Sequence, residues 1–93
     1  MKATIDGAVI AESANVVSVH GYDYFPLADA RLDLLEKSPR TTKDLQCPHG
    51  VQFYDVVIDG KRHPRNAWIY ERPQPAMQAV ADRVGFWEDV KVS

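Results

Sequence analysis

The chain of 93 residues carries one cysteine, Cys47. A lone thiol excludes an internal disulfide and a zinc site built from four cysteines. Surplus basic charge is missing too. Eleven Lys and Arg against thirteen Asp and Glu leave a formal net charge of -2, which gives no electrostatic footprint for nucleic acid or for an anionic membrane. The densest basic stretch, Lys61-Arg62-His63-Pro64-Arg65, follows Asp59 and reads as a solvated hairpin arm. No apolar run approaches the ~20 residues of a membrane helix. Met1-Lys2-Ala3-Thr4 leads into a strand pattern rather than a secretory leader, so a cytoplasmic protein is expected, with no nucleic-acid or membrane partner.

What is present is an ordinary globular composition, 45% hydrophobic and 26% charged, far from the disordered regime. At this length one domain over residues 1–93 is expected, burying roughly 60–65% of its unfolded surface. With no disulfide or metal cluster available, packing must stabilise it.

Asp6-Gly7 and Asp59-Gly60 are two-residue hairpin signals. The first separates two short strands ending in Ala8-Val9-Ile10, and the second turns Val51–Ile58 back toward Asn66–Tyr70. Val16–Val19 and Tyr22–Phe25 suggest another hairpin around His20-Gly21, closed by Pro26. Helical spacing predicts a helix over Leu27–Lys37 and a second over Pro75–Val84, with Gly85 as its stop. Ser38 to Gly50 reads as an exposed loop, and Phe86–Val92 as a closing strand. The expected fold is mainly β, with one or two short helices.

Period-two alternation across a tight Asp59-Gly60 turn places Val51, Phe53, Asp55, Asn66, Trp68 and Tyr70 on one face of the central pair. Tyr54, Val56, Ile58, Ala67 and Ile69 then share the other. Pro64 is expected to force a bulge. The second face is plain core. The first mixes aromatics with polar groups, as a ligand-binding face does, and it runs into the rigid Pro73-Gln74-Pro75 segment. Trp68, Tyr70, Tyr54, Phe53 and Tyr24 are candidates for an aromatic pocket, because ring faces bind planar or cationic groups and phenols add hydrogen bonds. A core built from aromatics is the plain alternative.

Cys47 and His49 stand two apart, so an imidazolium beside a thiolate would make Cys47 a candidate nucleophile or redox thiol. A packed structural thiol is the bland reading, and no second cysteine is present to resolve a sulfenic acid. Asp55, flanked by Tyr54 and Val56, is the one carboxylate placed to act as a base. Glu88 and Asp89 are adjacent and point apart in a strand, while Asp59 belongs to a turn. His20, His49, His63 and Cys47 are scattered, so no metal and no cofactor are expected.

The ordered set Ile5-Asp6-Gly7, Ala11-Glu12-Ser13, Tyr24-Phe25-Pro26, Cys47-Pro48, Tyr54, Ala67-Trp68, Tyr70, Pro73-Gln74-Pro75 and Phe86 resembles the domain-of-unknown-function 427 family. The resemblance spans nearly the whole chain. It implies two antiparallel sheets meeting at an angle, similar to the tent-like fold of methionine sulfoxide reductase B, Yippee proteins and the thalidomide-binding domain of cereblon. Those relatives hold zinc with four cysteines, a set this chain lacks. The family is sometimes labelled nucleotidyltransferase-like, yet neither a Gly-Ser phosphate turn nor an Asp-x-Asp pair is present. The family pattern Cys-Pro-Trp-Lys-Gly is shortened here to Cys47-Pro48-His49-Gly50, without its lysine.

Three functions compete. The leading expectation is a small-molecule binding module in which Tyr24, Tyr54, Trp68, Tyr70 and the Cys47-to-Gly50 loop line a cleft for a small planar ligand. The second is an enzyme with Cys47 as nucleophile and His49 or Asp55 as base. The third is a protein-interaction domain presenting a sheet edge.

Overall fold

Three tight turns organise the strands. The structure, a computed structural model, describes residues 1–93. Asp6-Gly7, His20-Gly21 and Asp59-Gly60 have positive φ at both positions (48° and 83°, 52° and 85°, 50° and 78°), the geometry whose twist matches a two-residue hairpin. These turns join β1 (Lys2–Ile5) to β2 (Ala8–Glu12), β3 (Val17–Val19) to β4 (Tyr22–Pro26), and β6 (Val51–Ile58) to β7 (Lys61–Tyr70). The other elements are β5 (Leu35–Lys37), the single-turn helix α1 (Thr42–Leu45), β8 (Arg83–Phe86) and β9 (Lys91–Val92).

Every pairing is antiparallel. One sheet has three strands in the order β2-β1-β9, and the other has six in the order β3-β4-β8-β7-β6-β5. The fold is thus mainly β, two antiparallel sheets with little helix, as the sequence predicts. The sheets meet across one core of Ala3, Ile5, Ile10, Ala11, Phe25, Val56, Ala67, Val84, Phe86 and Val90. Fully burying a side chain such as Phe25 or Ile10 contributes ~1.5–3 kcal/mol, which makes this core the main source of stability.

The expected split of apolar side chains is found, with Tyr54, Val56, Ile58, Ala67 and Ile69 toward the core and Val51, Phe53, Trp68 and Tyr70 on the outer side. Asp55 and Asn66, also expected on the outer side, lie in an interruption of the ladder. Pro64 does force an irregularity. Tyr54 pairs with Ala67 and Val56 with His63, so Asp55 alone faces Pro64, Arg65 and Asn66. Proline cannot continue the ladder, and Arg65 passes through the left-handed region (φ 56°). The excess is an even number of residues, so side chains beyond it return to the face they would have occupied.

Two predicted helices are absent. Over 27–37 the chain makes short 3-10 turns at Leu27–Asp29 and Leu32–Leu34 and then enters β5. Its backbone finds partners elsewhere: Ala30 bridges to Ala11, Arg31 N–H donates to the Ile10 carbonyl (2.8 Å), and Leu35–Lys37 pair with β6. Leu27, Ala30, Leu34 and Leu35 still pack on the core, each from a different short element. Sheet pairing outweighs an eleven-residue helix, which is marginal alone.

Over 75–84, a 3-10 segment ends at Val80, and Met77 within it is non-helical (φ -119°, ψ 15°). Arg83–Phe86 are taken into the six-stranded sheet between β4 and β7. Gly85 therefore lies in a central strand and does not cap a helix. The predicted strand Phe86–Val92 is broken by Glu88 (φ 60°) into the end of β8 and a separate β9, which pairs with β1. The expected loop after Ser38 contains α1, started by a reciprocal Thr41/Asp44 capping box.

Candidate aromatic cleft

Sheet register places the aromatic side chains. Phe53, Trp68, Gly85, Tyr24 and Val17 are paired in sequence across β6, β7, β8, β4 and β3, forming one transverse row on the outer face. Gly85 makes this row possible. A Cβ there would lie 2.7 Å from Trp68 Cε2 and Cζ2 and 3.0 Å from Tyr24 Cε2. The indole lies across the strand only because that position has no side chain.

Around Trp68 the rings meet mostly edge to face. Its centroid is 5.1 Å from Tyr22 at 87°, 5.8 Å from Tyr24 at 89° and 5.5 Å from Trp87 at 72°. Phe53 and Trp87 stack at 5.8 Å and 28°. Edge-to-face and offset pairs are the favourable aromatic geometries. Between them is a cavity of about 140 Å³ lined by Tyr22, Phe53, Trp68, Tyr70 and Trp87. Met77, Val80 and Val51 complete the buried layer beneath.

Of the four ring residues expected to line a cleft, Trp68 and Tyr70 do so. Tyr24 lies below it, 3% exposed, where burial and then the neighbouring Tyr70 push its hydroxyl up to about 12. Tyr54 is on the opposite face, packed on the main core, because it is one residue out of phase with Phe53. Burial, with Glu71 nearby, raises its pKa. Phe53 is confirmed on the outer face. Tyr22 and Trp87 were missed. Tyr22 was legible from its i, i+2 spacing to Tyr24, but Trp87 lies past the end of β8 and carried no periodic signal.

The residues considered for catalysis lie in separate environments. Cys47 is half-buried against the aromatic layer. His49 Nδ1 accepts from the Gln74 N–H (2.9 Å), and its ring sits edge-on to Tyr70 at 5.7 Å. No hydrogen bond joins Cys47 to His49. The Pro73-Gln74-Pro75 segment clamps this loop, with the Gln74 amide donating to the Pro48 carbonyl (3.3 Å) and Arg72 N–H to the His49 carbonyl (2.9 Å). No group of three His, Cys, Asp or Glu side chains is arranged to hold a metal ion.

Asp55 fills the β7 bulge. It accepts from Ser38 Oγ, from Arg62 Nη1 (2.8 Å) and from the Arg65 N–H (3.0 Å). Burial alone would raise its pKa, but these hydrogen bonds outweigh burial and hold the carboxyl below the usual range. Arg65 forms a bidentate pair with Asp44 (2.9 and 3.0 Å) and lies 4.0 Å over the Phe53 ring. That pairing, with the Thr41 N–H, holds Asp44 down to about 2.

These features define a small all-β domain of two antiparallel sheets with an aromatic cleft on the outer face of the larger one. The family model described as Domain of unknown function (DUF427) matches residues 1–93, and the chain belongs to that family, in agreement with its sequence resemblance. No curated protein matches the chain. No helix is long and apolar enough to cross a membrane.

Proposed function

We propose that this domain is a binding module that takes one small planar ring between Tyr22, Phe53, Trp68, Tyr70 and Trp87. The observation that carries the reading is a cavity walled by five aromatic residues, one of which, Tyr22, is 40% exposed. A concave site lined by hydrophobic and aromatic side chains is the usual form of a small-molecule pocket. Size narrows the ligand. An apolar cavity of roughly 150 Å³ holds a benzene ring, and this one, about 140 Å³, matches a single ring and is too small for a whole nucleotide. Binding is favoured over a Cys47 enzyme because His49 is engaged by Gln74 and Tyr70, and Asp55 by Ser38, Arg62 and Arg65.

Titration with phenol, followed through the two tryptophan indole N–H signals by NMR, tests the reading. Both signals should shift saturably, and Tyr22→Ala should weaken binding roughly three- to tenfold by removing an exposed wall. Indole signals that stay fixed up to the solubility limit of phenol would sink it.

A further inference from the structure

Trp87 is the one cleft wall that no strand holds, since β8 ends at Phe86. Something else must fix its ring, and every hydrogen bond that reaches its turn from another strand comes from β7. Trp87 N–H donates to the Asn66 carbonyl (3.0 Å), and Trp87 Nε1–H donates to the Arg65 carbonyl (2.5 Å). The Asp89 N–H donates to Asn66 Oδ1 (2.9 Å), and His63 Nδ1 lies 2.9 Å from Asp89 Oδ2. Between these ties Glu88 is left-handed, a conformation that persists where its surroundings over-determine it.

From this network we infer that Asn66 is the positioning residue that sets Trp87 as a wall of the cleft, and through it the affinity for the ring ligand. Asn66 is 2% exposed and holds both ends of the Trp87-Glu88-Asp89 turn, one through its carbonyl and the other through its side chain. Its amide nitrogen donates to the Pro64 carbonyl (2.8 Å), which directs Oδ1 at Asp89. The position therefore needs a donor and an acceptor on one short side chain. Asparagine supplies both, aspartate loses the donor, and alanine loses both. Without the side chain the turn keeps its bonds to the Arg65 and Asn66 carbonyls and the His63–Asp89 contact but loses its tie at the Asp89 N–H, so Trp87 is set less firmly against Phe53 and Trp68. The affinity part of this inference rests on the cleft being a binding site, whereas the positioning part does not.

The chain has two tryptophans, so a ¹⁵N-labelled sample gives one indole N–H signal each for Trp68 and Trp87. In ligand-free Asn66→Ala the Trp87 signal should move and exchange faster with water, while the buried Trp68 signal stays slow to exchange. The dissociation constant for phenol should rise about tenfold. An unmoved Trp87 signal overturns the inference, and so does phenol binding at wild-type strength. If wild-type protein binds no phenol, the cleft reading fails on its own, and the ligand-free comparison still decides the role of Asn66. Should Asn66→Ala not fold, hydrogen exchange of the wild-type Asp89 amide decides instead. It should run at least about tenfold slower than in an unfolded chain, and an unprotected amide overturns the inference.

Discussion

The two faces of the six-stranded sheet are built by the same alternation and finished differently. The inner face is covered by a second sheet and filled with Phe25, Val56, Ala67, Val84 and Phe86. The outer face is covered only by the Pro75–Val80 segment and the α1 loop, so the remaining area is closed by large rings leaning on one another. Aliphatic side chains need a facing layer to exclude water, whereas aromatic rings in edge-to-face contact partly cover themselves. A face sealed by its own side chains is one where a foreign ring can join the packing.

The sharpest test of this contrast is truncation on each face. Phe25→Ala, on the sealed side, should cost about 3–5 kcal/mol and leave the domain near its unfolding threshold, as read by urea denaturation. Equal tolerance of Phe25→Ala and of an outer-face truncation would break the comparison.

Gly85→Ala comes next. The added methyl collides with the Trp68 ring, so a loss of about 1–3 kcal/mol is expected, with an altered near-UV circular dichroism spectrum. An unaltered spectrum would mean that the indole does not lie on that strand.

Asp44→Asn tests the rim, where Asp44 ties α1 to Arg65. It should cost about 1–2 kcal/mol at pH 7. The Asp44 carboxyl is depressed to about 2 in the folded state, below the ordinary ~3.9 of an unfolded chain. Its stabilisation is therefore present above about pH 4 and lost as pH falls toward 2. The wild-type stability advantage over Asp44→Asn should vanish across that window, and an advantage unchanged at pH 2 would refute the assignment. The smallest effect is expected from Tyr22→Ala, within about 1 kcal/mol in stability because the ring is partly exposed, although it removes a cleft wall. A large destabilisation there would make the outer face as sealed as the inner one.

Much of this arrangement was legible in the sequence. Asp6-Gly7, His20-Gly21 and Asp59-Gly60 marked the turns, and alternation marked the apolar faces of the β6/β7 pair, because these depend on neighbours in the chain. Positions governed by distant partners were misread. Leu27, Ala30, Leu34 and Leu35 have helical spacing only because successive short segments each deliver one side chain to the core. Gly85 looks like a helix stop, and its reason is the indole of Trp68, seventeen residues away in the chain. The Thr41-x-x-Asp44 capping box was present in the sequence and gave α1 a local signature. No local rule could bring Trp87 to the cleft, because its orientation depends on carbonyls of the β7 bulge.

That bulge also governs how the hairpin can lengthen. Because it adds an even number of residues, it leaves the inside-outside order of Ala67, Trp68, Ile69 and Tyr70 intact. An insertion of one residue between Pro64 and Ala67 would exchange the two faces downstream, pushing Trp68 into the inward slot of Ile69 and turning Ile69 outward into that of Tyr70. Length variation at this point is therefore quantised in pairs: the domain can accept two further residues as a larger blister on the rim, but a single one inverts the strand.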